Sequence, residues 1–127
     1  MVKRTGGIVV RVDGALRFLP AAVALRVAPP PRVTPVPGAP SELLGITLHE
    51  GVIVPVLAVG SERGEMIVCQ QPAELIGVVG AEIVQAGLFV TAAEDGASVK
   101  LEGQDVEVLD VAAVYERVRS ARTRSWS

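Results

Sequence analysis

Aromatic side chains are scarce in this chain: two phenylalanines, one tyrosine and one tryptophan in 127 residues. Proteins that read single-stranded nucleic acid use aromatic platforms set in a basic groove. Here the formal net charge is −2, so no long-range field draws the chain to a polyanion either. Cysteine occurs once, at Cys69, which rules out an internal disulfide. In the apolar run Met66–Cys69 it reads as a buried thiol, and a reducing, cytoplasmic setting is expected. Histidine also occurs once, at His49. With no second histidine and no nearby cysteine, no metal-ligand set is complete. The glycines match neither the phosphate-loop nor the dinucleotide-binding spacing, and no cofactor is expected. Charges or prolines interrupt every apolar run well short of the roughly 20 residues that span a bilayer. Lys3-Arg4 leads into alternating Val and Arg, not into the apolar core of a secretory leader. Nothing in the pattern assembles catalytic residues: His49 falls in a predicted turn beside Glu50, Cys69 in a strand core, and Glu94-Asp95 in a solvated turn.

What the chain does have is β-branched residues punctuated by glycine and proline. Half of it is hydrophobic, carried by Val, Ile, Leu and Ala, which is enough to build a buried core. Residues 7–19 read as a hairpin about Asp13-Gly14. A three-residue loop, Asp13 to Ala15, pairs Val12 with Leu16 and Val10 with Phe18, and sets Arg11 opposite Arg17 on the outer face. A one-residue slip moves every side chain to the other face, so burial is expected to favour this register over a two-residue loop. Residues 21–27 fit a short strand or a helical turn. Pro29-Pro30-Pro31 imposes an extended connector that continues through Val33–Pro37.

Further along, the strands Leu43–Leu48 and Val52–Val59 flank a turn at His49-Glu50-Gly51. Pro55 donates no ladder hydrogen bond, so its strand should be an edge or be bulged there. Glu65–Cys69 and Leu75–Val79 form a second hairpin, and Ala81–Phe89 a further strand. Glu94-Asp95-Gly96 is a turn, and Val99–Leu101 and Val106–Val108 are short strands around Gly103. Asp110 reads as the N-cap of a helix whose Val111, Val114, Tyr115 and Val118 share one face. Arg117, Arg119, Arg122 and Arg124 crowd its end, where they suit the helix dipole, and residues 120–127 are expected to be a disordered tail. So many short strands argue an all-β barrel or sandwich. Its edges, and the apolar hairpin Met66–Val79, could be offered to other proteins.

These same residues, in order, resemble the CheW-like domain, the coupling module of bacterial chemosensory systems. That pattern runs from V-T-x-V/I-P through G-V-x-x-L-R-G-x-I-x-P-V-I-D-L, a valine-rich strand and V-G-x-x-V-D-x-V to an L-D helix start. The chain offers Val33-Thr34-Pro35-Val36-Pro37, Gly45 to Val59, Met66-Ile67-Val68, Ile76-Gly77-Val78-Val79 before Ile83, and Leu109-Asp110. The resemblance implies an all-β fold of two small SH3-like five-stranded barrels on a shared core, with a short C-terminal helix, as one domain over 1–127. It implies a non-enzymatic, cytoplasmic adaptor without metal or cofactor, whose family joins methyl-accepting chemoreceptor cytoplasmic tips to a CheA-type histidine kinase. It places Ala24, Val27, Val36, Gly45, Glu50 and Val56 near a partner-binding groove between the barrels.

The departures from that pattern matter as much. Glu50 stands where the pattern has arginine, Arg26 where it has glutamate, Ala24 where it has valine, and Ala58 and Ala81 where it has aspartates. The segment between Phe89 and Val99 is shorter. Charged contacts are removed and the apolar pattern kept, which implies altered partner chemistry on a retained fold. A divergent accessory member is therefore expected, binding receptor tips or another CheW-like protein, with weak or absent kinase binding. On this reading Glu50→Arg should strengthen coupling. The alternatives are an ordinary coupler matched to its own kinase and, from a different class, a small barrel that binds nucleic acid or a small ligand.

Overall fold

Three tight hairpins organise the chain, at Asp13-Gly14, Glu50-Gly51 and Glu102-Gly103. Their φ angles are 47° and 87°, 49° and 82°, and 48° and 81°. Positive φ at both central residues is the geometry whose twist matches the flanking strands, and glycine supplies the second position without steric cost. The computed structural model describes residues 2–61, 63–92 and 97–126, the side chains of 121–126 excepted. The expected turn at Glu94-Asp95-Gly96, and the side chains of Arg122 and Arg124 in the expected tail, lie outside the described part.

Among the described residues the strands are β1 (Arg4–Val12), β2 (Ala15–Pro20), β3 (Ala24–Ala28), β4 (Leu43–His49), β5 (Val52–Ala58), β6 (Met66–Gln70), β7 (Leu75–Val79), β8 (Glu82–Val90), β9 (Ser98–Leu101) and β10 (Gln104–Glu107). The helix α1 (Val111–Trp126) follows. The first barrel takes strands from both ends of the chain. Its sheet has the order β2-β1-β8, and the β9-β10 hairpin closes it through bridges from Thr91 to Val99 and from Phe18 to Val108. The second barrel is the middle of the chain, in the order β3-β6-β7-β5-β4. It closes where the connector after β3 returns to the free edge of β4. There Thr34 N–H donates to Ile46 O at 2.8 Å and Ile46 N–H to Thr34 O at 2.9 Å. The prolines at 29–31 carry the chain across that gap in extended form. The chain is thus two SH3-like barrels.

Three apolar clusters fill the molecule. Val9, Phe18, Phe89, Val99 and Val106 fill the first barrel, with Phe18 and Phe89 edge to face at 5.5 Å. Ala28, Val56, Met66, Val68 and Val79 fill the second. Between them lies a shared core that includes Val10, Leu19, Leu57, Ile67, Ile76 and Val78, onto which α1 lays Val111, Val114 and Val118. Asp110 caps the helix as expected, its Oδ1 accepting from Ala113 N–H at 2.9 Å.

The first hairpin corrects the expected register. β1 and β2 pair Val10 with Arg17, Arg11 with Leu16 and Val12 with Ala15, so the loop is the two-residue Asp13-Gly14. Burial does not choose between the registers because both faces of this hairpin are covered. Val9 and Phe18 face the first barrel's interior, while Val10 and Leu19 face the shared core. Arg11 therefore does not oppose Arg17. It pairs with Glu82 at 3.2 Å, while Arg17 Nη1 donates to Leu16 O at 2.8 Å. Residues 24–28 settle as strand, not helical turn. β5 is interior to its sheet, but β7 begins to pair with it only at Val56. At Pro55 it is locally an edge, which tolerates the missing donor.

Candidate functional site

The β4–β5 hairpin projects a pair of apolar side chains into solvent. Leu48 and Ile53 are cross-strand partners, so they share a face, and they are 71% and 65% exposed. Beside them Arg32, Thr34 and Ile46 complete a groove of about 510 Å³ on the outer side of the second barrel. On β3, at the other end of the sheet order, Leu25 and Val27 are exposed as well, flanking Arg26. The turn and β3 are tied together by an ion pair, Arg26 Nη1 to Glu50 Oε1, at 2.5 Å. Large exposed apolar side chains gathered at one edge are the signature of a protein-binding surface. A second exposed apolar group, Val84, Leu88 and Val90, lies on β8 of the first barrel.

The six residues expected near a partner groove divide between surface and interior. Val27 and Glu50 stand on the exposed edge, and Val36 is half-buried in the connector. Ala24, Gly45 and Val56 are buried. Val56 is fully enclosed in the second barrel's cluster, and Ala24 belongs to the shared core. Neither presents a surface to a partner, because strand alternation turns both inward. Gly45 is required by close approach: a Cβ there would lie 2.1 Å from Thr34 O, at a φ of 151°. That contact seals the second barrel. A cleft of about 500 Å³ does run between the barrels at the start of α1, lined among others by Val23, Gln71, Glu107 and Leu109. None of the six lines it.

The sequence departures at positions 26 and 50 are not independent losses of charge. They face each other as an ion pair in this chain. Sequence reasoning treated Leu25, Leu48 and Ile53 as ordinary strand residues. The missed signal was their position: Leu48 and Ile53 sit next to the turn residues on a hairpin tip, beyond the reach of the core.

No group of three or more His, Cys, Asp or Glu among the described residues could hold a metal. Cys69 is buried, and burial pushes its thiol up to about 12, far from the thiolate chemistry of a nucleophile. His49 ends β4, and its Nε2 is buried without a hydrogen-bond partner. Burial and a hydrogen bond to Glu74 raise the Tyr115 hydroxyl above its ordinary value; Tyr115 donates to Glu74 Oε1 at 2.8 Å. Among the described residues, no helix is long and apolar enough to cross a membrane.

No protein-family model matches the chain, and no curated protein matches it. Among solved structures it is similar to the scaffolding protein TtCheW from Thermoanaerobacter tengcongensis. The TM-score is 0.62 over 84% of this chain and 90% of that one, at 16% sequence identity. The fold is therefore that of a CheW-like domain.

Proposed function

We propose that this protein is a non-enzymatic adaptor of a bacterial chemosensory array. It binds the cytoplasmic tips of chemoreceptors, or another coupling protein, and engages a histidine kinase weakly or not at all. The exposed apolar edge of the second barrel, Leu25, Val27, Leu48 and Ile53 around the Arg26–Glu50 pair, carries this reading. Such a surface costs solubility unless it is covered, and a fold shared with a scaffolding protein makes a protein partner the natural cover. Val27 and Glu50 act at that edge, and Val36 supports the connector beside it. Ala24, Gly45 and Val56 act indirectly, by fixing the barrel that displays it.

The test is reconstitution of the protein with a chemoreceptor cytoplasmic fragment and a histidine kinase. Co-sedimentation with receptor and unchanged kinase activity are expected, and robust kinase activation rejects the uncoupled form. One observation favours a second reading, an ordinary coupler matched to its own kinase. Arg26 and Glu50 pair with each other, and the resemblance implies the opposite signs at these two positions, as a co-varied interface would require. A kinase whose docking surface carries the complementary reversed charges supports that reading.

A further inference from the structure

The cleft at the start of α1 has a chemistry that the apolar edge of the second barrel lacks. Its volume of about 500 Å³ suits a small molecule. Pro20, Val23 and Leu109 supply aliphatic wall, and two carboxylates, Glu107 and Asp110, line it without any Lys or Arg. Both acids are exposed, and among the described residues neither makes an ion pair. Strand alternation puts Glu107 there: Val106 belongs to the first barrel's cluster, so Glu107 turns the other way. Its cross-strand partner Ser98 lines the cleft too. Asp110 caps α1 through Oδ1, which leaves its second oxygen to the cleft.

Gln71 adds an acceptor that an acidic rim alone does not provide. It is 5% exposed and lines the cleft. Its Nε2 donates to Gln70 O at 3.1 Å, which fixes the orientation of the carboxamide. Among the described residues nothing donates to its Oε1. That oxygen is not sealed in the interior, where His49 Nε2 is the enclosed polar atom without a partner. A nearly buried carboxamide thus offers an unpaired oxygen to the cleft, and such an acceptor is stabilised by a ligand's N–H.

The sign of the ligand follows from the charges. A helix start carries about half a positive charge, which favours anions. The full charge of Asp110 in the cap outweighs it, and Glu107 adds a second. A metal ion is a poor fit, because no group of three or more His, Cys, Asp or Glu among the described residues could hold one. We propose that this cleft binds an alkylguanidinium, either free arginine or an arginine side chain. The planar fork pairs with a carboxylate while a remaining N–H reaches Gln71 Oε1. The methylene stem lies against the aliphatic wall. An ammonium fits less well, being a strongly hydrated point charge without the fork. The site is separate from the proposed adaptor edge: Leu25, Val27, Leu48 and Ile53 do not line it.

The experiment is calorimetric titration of the full chain with three probes. These are free arginine, citrulline as its uncharged counterpart, and a short peptide capped at both ends with one internal arginine. Saturable binding of free arginine or of the peptide is expected, and whichever binds identifies the source of the guanidinium. Citrulline should bind at least about tenfold more weakly than arginine if the free amino acid is the ligand. The double variant Glu107→Gln with Asp110→Asn should weaken the probe that binds at least about tenfold. It should keep the wild-type unfolding midpoint, since Glu107 is exposed and asparagine caps a helix as aspartate does. Gln71→Met should weaken binding as well, by removing the unpaired oxygen at similar volume. Binding of neither arginine probe, equal affinity for arginine and citrulline, or affinity unchanged by the double variant overturns the site. Each of those results leaves the adaptor reading standing, because receptor-fragment binding depends on the other edge.

Discussion

Arg26 on β3 and Glu50 in the β4–β5 turn form one ion pair at 2.5 Å, although they lie 24 residues apart. Both side chains are about half exposed, so the pair adds less than about 1 kcal/mol to stability. It orients the turn that carries the exposed aliphatic residues. It also changes the expected result of Glu50→Arg. That substitution alone sets two guanidinium groups against each other and should weaken partner binding. The double exchange Arg26→Glu with Glu50→Arg should restore it. Receptor-fragment affinity for the two singles and the double, read as a double-mutant cycle, checks this.

Asp13 and Ser61 join the two barrels. Asp13 Oδ1, in the β1–β2 turn, accepts from Ser61 N–H at 2.9 Å and Ser61 Oγ at 2.7 Å. These bonds, the backbone one first, lower the Asp13 carboxyl below 3.8. A lowered folded-state value stabilises above the unfolded pKa and is lost as pH falls through the folded one. Stability measured by urea unfolding should therefore fall with acid below about pH 4. Asp13→Asn should flatten part of that fall, whereas a variant with the wild-type acid slope would show that the contact contributes nothing.

Gly45→Ala should be among the most damaging single substitutions. Its Cβ meets backbone, not the movable end of a side chain: Thr34 O lies at 2.1 Å. Closure of the second barrel must shift to admit it, at a cost of about 3 kcal/mol or more. Gly51→Ala meets no atom within 4 Å and carries only the strain of its positive φ, about 1–2 kcal/mol. Gly45→Ala adds its clash to the strain of its own positive φ of 151°, so chemical denaturation of the two variants reads the extra cost of the contact.

Cys69 should be silent in the folded protein. With the thiol buried and its pKa near 12, an aromatic disulfide reagent at neutral pH should label it only as fast as the protein opens. Stoichiometric labelling within seconds under native conditions would contradict its placement in the shared core.

Much of the fold was legible because its signals are local. Asp13-Gly14 and Gly51 mark turns through backbone freedom, Asp110 caps through its own side chain, and Val111, Val114 and Val118 fall on one helical face. The β1–β2 register was not legible. Period-two burial assumes one wet face, and a hairpin wedged between two cores has none, so Val9 and Val10 are both buried. The candidate site was half legible. Glu50 and Arg26 are legible as separate departures, but only the closure of β3 against the β4–β5 turn makes them partners. Val56 and Ala24 match the pattern's apolar character because it serves the interior. Leu48 and Ile53 escaped because an exposed aliphatic residue and a buried one look alike until the strand's neighbours are known.

The most direct test of the account is titration of a chemoreceptor cytoplasmic fragment into the full chain, with Val27→Asp as comparison. Val27 is 38% exposed at the apolar edge, so the substitution spares the core. The account predicts saturable binding by the wild-type protein, weakened at least about tenfold by Val27→Asp. Absence of wild-type binding, or equal affinity for the two proteins, would contradict it.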